Sequence, residues 1–202
     1  MLIEPIAIIM DSSQKIDLAI EKYSENKIIP DPFRHEILTA LSFYPELQHT
    51  CIRFTFKDNI RKSFMQAQPV LSSMFNPIGK REYVINMSRY FKIGREKIYI
   101  EDVPSEVIIG WVGHELGHIM DYKDRSLWSM IKFGIGYLFS RPYLMEAERV
   151  ADTYAIQHGL AEYIIETKNF ILNHAQLPEK YKAKIRKFYM PPEEVMLMIE
   201  PH

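Results

Sequence analysis

Apolar positions follow two different periods along this chain, and the change of period divides it. Ser12 or Ser13 can cap a helix reaching about Ser24, with Ile16, Leu18, Ala19 and Ile20 inside it. Pro30 and Pro32 mark a boundary. A second helix is expected from about Pro32 to Phe43, with Phe33, Ile37, Leu38 and Leu41 as its apolar stripe and Pro45 beyond its end. The pattern then switches to alternation. Cys51 to Lys57 reads as a half-buried strand with Cys51 in its core, Pro69 to Phe75 is a further strand candidate, and Asn76 to Gly79 looks like a turn. Glu82 to Met87 reads as another strand. Helical spacing returns after Pro104 through Val107, Ile108, Trp111, Val112, Leu116 and Ile119, with Asp102 or Ser105 as a cap. Leu127 to Phe139 is almost wholly apolar and carries glycines at 134 and 136, which suggests a buried or groove-lining hairpin. Ser140 and Pro142 can open a helix to about His158, stopped by Gly159. One or two more helices follow, broken near Pro178 and at Pro191-Pro192. Helices, then strands, then helices make an α+β arrangement the expected fold class.

Composition narrows the picture a little. At 202 residues the chain can bury one sizeable core, and 47% hydrophobic with 25% charged is ordinary for a globular protein. A net charge of −1 gives no reason to expect nucleic acid as a partner. Cys51 is alone, which excludes an internal disulfide and a cysteine-rich metal site. The short apolar run Ile6 to Met10 has no basic residues before it and makes a poor signal peptide. No segment approaches the ~20 apolar residues needed to span a bilayer. The expected location is therefore the cytoplasm, with contact to a membrane surface conceivable only through Leu127–Phe139.

The helix after Pro104 carries His114-Glu115-Leu116-Gly117-His118. In this H-E-x-x-H the histidines are four apart, so they share one helical face and can bind one metal ion. Glu115 beside them can take a proton from a metal-held water. By chance alone, a chain of this composition would show such a match about 2% of the time. Gly110, Gly113 and Gly117 lie on the same helix and suggest that another element approaches closely.

A hydrolytic zinc site needs a third protein ligand. A third histidine six residues on is excluded, because Asp121 and Asp124 occupy the glycine and histidine places of that extended motif. Glu148 is a better ligand. Asp152 lies four residues further, on the same face, and can bond the outer nitrogen of a ligand histidine. Glu146 is the rival, but its partner four along would be Val150. A carboxylate pair on a helix is ordinarily a solvated face. The surrounding Ala147, Val150, Ala151 and Ala155 argue otherwise.

His114 to His118 together with Glu148-Arg149-Val150-Ala151-Asp152 resembles the gluzincin zinc metallopeptidases. Within them the E-x-x-A-D form looks most like the branch of CAAX prenyl proteases and HtpX-type peptidases. The small size and the strand before the metal helix are similar to the minigluzincins. The resemblance covers roughly residues 83–159. It implies a zincin-like fold, a small mixed sheet with an active-site helix and a following glutamate-ligand helix. The chain is read as a single metallopeptidase domain, 1–202, with a helical N-terminal extension (1–50), a catalytic core (51–160) and a helical C-terminal part (161–202). The resemblance implies Zn2+ held by His114, His118 and Glu148, Glu115 as general base, and Asp152 orienting His114. The substrate would be a peptide or protein, lying along the Tyr83–Met87 strand if that strand is an exposed edge. The resemblance also implies an oxyanion-stabilising His, Tyr or Arg beyond the glutamate ligand. His174 is the residue named for it, ahead of His158, Tyr154, Tyr181 and Tyr189.

Two alternatives stand beside this. The protein could be a latent or regulatory zinc protein, its cleft blocked by the apolar Val195–Ile199 run, with His202 reaching the metal. It could also be a regulatory protease of the ImmA type, although the paired Asp152 counts against that.

Overall fold

The longest helix is also the most deeply buried element. In a computed structural model, which describes residues 12–58, 60, 63–77, 79–93, 96–174 and 177–199, that helix is α3, Ser105–Lys123. Every residue of it from Val107 to Ile119 is buried. Three helices and one strand enclose it: α2 (Arg34–Ser42), α5 (Arg141–Gln157), α6 (Ala161–Asn173) and β3 (Met65–Pro69). The class is α+β, as the change of period implied.

The remaining described elements are α1 (Ser12–Glu21), β1 (Lys27–Ile28), β2 (Cys51–Lys57), β4 (Glu82–Ser88), β5 (Tyr90–Ile93), β6 (Glu96–Tyr99), α4 (Leu127–Phe139), α7 (Glu179–Phe188) and α8 (Pro192–Ile199). Four strands form a mixed sheet in the order β1-β2-β4-β3, and β5 and β6 form a separate hairpin. β1, β2 and β4 run parallel, while β3 runs antiparallel to β4. The register puts Ile52 and Phe54, then Tyr83, Ile85 and Met87, then Met65 and Ala67 on one face, and all are buried. One apolar cluster extends from Ile20 to Val195. The first fifty residues share in it: α2 packs on α3, and the Tyr44 hydroxyl donates to the Gly113 carbonyl at 2.7 Å.

Several expectations are corrected. The Tyr83–Met87 strand is not an edge, because β2 and β3 pair with it on both sides; β1 and β3 form the edges. The candidate strand Pro69–Phe75 ends where it was expected to begin. Residues Leu71–Phe75 form a 3-10 turn instead, with Leu71 and Phe75 exposed. Leu127–Phe139 is one helix rather than a hairpin. The Ser126 side chain caps it by accepting from the Ser129 N–H. It buries Met130 and Phe133 and exposes Trp128 and Phe139. Cys51 is exposed, since the alternation that buries Ile52 and Phe54 turns it outward. Among the described residues three helices, rather than one or two, follow Gly159. No helix among the described residues is long and apolar enough to cross a membrane. Residues 1–10 and His202, on which other expectations rested, lie outside the described residues.

The two helices that matter most for the site are placed by glycine. Gly159, at φ +88°, ends α5 in the left-handed conformation, and the Leu160 N–H closes back on Ala155 at 2.9 Å. At Gly117 a Cβ would lie 2.4 Å from the Ala151 carbonyl oxygen. The backbones of α3 and α5 therefore touch between the candidate site residues themselves, at the positions just before His118 and Asp152.

Candidate metal centre

The α3–α5 contact brings His114 and His118 against Glu148 and Asp152, all buried. Glu148 Oε2 lies 3.1 Å from His114 Nε2 and 3.6 Å from His118 Nε2. The three ligand atoms fall within 4.8 Å of one another. A tetrahedral zinc with ligand bonds of ~2.0 Å needs donor atoms about 3.3 Å apart, so the glutamate-to-histidine spacings bracket the required value. The two imidazoles sit nearly perpendicular, with 4.8 Å between their centroids. Two neutral nitrogens and one carboxylate oxygen suit a divalent ion such as zinc. The group could hold a metal ion.

Two of the three donors are hydrogen-bonded from behind. His114 Nδ1 lies 2.9 Å from Asp152 Oδ1, which leaves Nε2 turned toward Glu148. The Tyr137 hydroxyl, from α4, donates to Glu148 Oε1 at 2.8 Å. His118 stacks on Tyr122, centroids 5.9 Å apart, and its Nδ1 is buried without a partner among the described residues. Glu146 faces solvent, which removes it as a rival ligand.

Charge follows from these contacts. Burial would push the His114 imidazole down, but hydrogen bonds to Asp152 and Glu148 and their charges raise it to about 10. Burial would raise the Glu148 carboxyl, yet hydrogen bonds with His114 and His118 hold it well below the usual carboxylate range. The Asp152 carboxyl is likewise held down, against its burial, by Lys168 and His114. Burial pushes the Glu115 carboxyl up, against the pull of His118 and His114.

Glu115 points to the sheet. The Ala67 N–H of β3 donates to Glu115 Oε2 at 2.6 Å. The bonds Val70 N–H to Glu82 and Ser88 N–H to Phe64 show that even-numbered residues of β3 face β4. Met65, Ala67 and Pro69 therefore turn their backbone groups to the open edge. A cavity of about 50 Å³ opens on His114 and Glu115, with Phe64, Trp111, Ile185 and Tyr189 in its wall.

His174 is not brought to this group. It ends α6, its ring packs on Phe170 at 5.1 Å, and it does not line the cavity. His158 is also elsewhere, stacked on Tyr44 at 4.4 Å. Tyr181 and Tyr189, from the named rivals, do line the cavity, and the Tyr189 ring lies 5.6 Å from His114. Three participants were missed by sequence reasoning: Tyr137, Lys168 and the Ala67 N–H. The first two sit in segments without a motif, and a backbone N–H has no sequence signal at all. The Val195–Ile199 run does not enter the site. Val195 anchors α8 in the core, and Met196 to Ile199 are exposed. The residues before it come closer, since the Met190 N–H donates to Asp152 Oδ2 at 3.1 Å.

No protein-family model, curated protein or solved structure matches the chain.

Proposed function

We propose that this protein is a zinc-dependent peptidase with a zincin-like fold. The observation that carries the reading is the convergence of His114 Nε2, His118 Nε2 and Glu148 Oε2 beside a buried Glu115. Zinc, when bound, would supply an acidified water and polarise the scissile carbonyl. Glu115 would act as the general base, accepting a proton from that water and returning it to the leaving amine. Its raised carboxyl makes it a better base than an exposed glutamate. Asp152 keeps the His114 ring in one tautomer. An extended peptide would add along the outer edge of β3, beside the Ala67 N–H that Glu115 already holds. Tyr189 and Tyr181, which line the cavity beside His114 and Glu115, take the role first given to His174.

The test is Glu115→Gln. The variant is expected to bind zinc like the wild type and to lose at least ~100-fold in hydrolysis of a peptide library. Undiminished cleavage by a zinc-loaded Glu115→Gln protein would overturn the mechanism.

A second reading, a latent or regulatory zinc protein, draws on a different observation. The Tyr189–Met190 segment covers His114 and Asp152, and Arg149 pairs with Glu194 at the start of α8.

A further inference from the structure

Lys168 is a buried cation for which the proposed reaction has no use. It lies on α6, and only 4% of it is exposed. Its helix neighbours at the same depth are Ile164, Thr167 and Ile171. An ammonium taken out of water costs several kcal/mol unless its partners restore the lost hydration. Here the partners are specific. Nζ lies 2.7 Å from Asp152 Oδ2 and 5.3 Å from the centroid of the Tyr189 ring.

Asp152 is fixed on three sides as a result. Oδ1 faces His114 Nδ1 at 2.9 Å, while Oδ2 accepts from Lys168 and from the Met190 N–H. The donors come from α3, from α6 and from the segment between α7 and α8. A carboxylate free to rotate about its Cβ–Cγ bond would share its oxygens among them. With Oδ2 held by the ammonium and the amide, Oδ1 is left to the imidazole alone.

We infer that Lys168 is a positioning residue for the metal centre: its ammonium fixes the Asp152 carboxylate so that His114 presents Nε2 to the ion. The inference rests on the reading of His114 as a metal ligand. It assigns Lys168 a role in metal affinity, exerted through Asp152 and absent without it. A residue that merely filled the core would affect zinc binding independently of Asp152.

The experiment is a double-substitution cycle read as zinc affinity, by competition with a chromophoric chelator on the full chain. Lys168→Met is expected to weaken zinc roughly ten-fold, the lower end for a partner that orients a ligand histidine. On an Asp152→Asn background the same change is expected to weaken it less than about two-fold, because the group it orients is already impaired. The cobalt-loaded Lys168→Met protein is expected to show displaced visible absorption bands, since the His114 ring shifts. Where Lys168→Met does not fold, Lys168→Gln keeps the length and a donor, and a loss of about three-fold or more supports the role. Unchanged zinc affinity in the folded variant overturns it, as does an equal loss in both backgrounds. Zinc binding by the wild type with no effect of Lys168 defeats this inference alone. No zinc binding by the wild type defeats it together with the proposed function.

Discussion

His114 joins two carboxylates, and that makes it the residue at which a proton would compete with the proposed metal. Its ordinary value of 6.5 is raised to about 10 in the folded, metal-free chain, where Asp152 and Glu148 outweigh burial. A folded-state value above the unfolded one stabilises the fold fully below the unfolded value and is lost as pH rises through the folded one. Metal-free protein is therefore expected to lose stability between pH 6.5 and about 10. Zinc needs the neutral ring, so loading in that window must expel a proton. Titration calorimetry in buffers of different ionisation enthalpy is expected to report about one proton released, and affinity should rise up to ~ten-fold per pH unit. Zinc uptake without proton release at pH 7.5 would contradict the paired imidazolium. Much of this residue chemistry was legible in the sequence. A four-residue spacing names His114, His118, Glu148 and Asp152, because helical geometry makes neighbours of residues one turn apart. Tyr137, Lys168 and the Ala67 amide reach the site through space, so no spacing rule could find them.

Between elements, the deciding contact is where α3 crosses α5. Gly117 occupies the position where a side chain would strike the Ala151 carbonyl, and Gly110 does the same against the Tyr163 carbonyl of α6. Alanine at 117 gains up to ~1 kcal/mol in helix propensity. It must also push apart two backbones, and inserting a methyl into a packed contact costs roughly 1–3 kcal/mol. Since Ala151 lies between Glu148 and Asp152, the displacement reaches both. Gly117→Ala is expected to lower the midpoint of thermal unfolding and weaken zinc binding together. A variant at least as stable as the wild type, with normal zinc affinity, would show that the helices have room. The close approach was readable from three glycines on one helix. Elements lacking so strong a pattern were not. The β3 sequence Met-Gln-Ala-Gln-Pro has only Met65 and Ala67 facing inward, too faint an alternation to mark an edge strand, and the β5–β6 hairpin was missed entirely. In α4, Gly134 and Gly136 suggested a turn, yet at Gly136 a Cβ would meet the Tyr143 ring, so that glycine serves packing within a continuous helix.

For the molecule as a whole, the open question is what the last two helices do to the site. α7 and α8 are fastened to the rest through Ile185 and Val195 in the core, the Tyr181 ring on Phe64 and Phe91, the Met190 amide on Asp152, and Glu194 on Arg149. The last of these is more than a third exposed on both sides, and pairs of that kind contribute about 0–1 kcal/mol. It nevertheless joins α8 to α5, the helix that carries Glu148. Glu194→Ala should therefore leave global unfolding almost unchanged while easing local opening of the Tyr189–Met190 segment. Faster hydrogen exchange at the Met190 amide would register that opening. If this segment blocks the cleft, as the latent reading requires, peptide hydrolysis should rise with the exchange rate. If it is instead a fixed wall that holds Asp152, hydrolysis should stay level or fall, because a looser Asp152 orients His114 less well. Faster exchange without faster hydrolysis would therefore end the latent reading and leave the C-terminal helices as part of the catalytic framework.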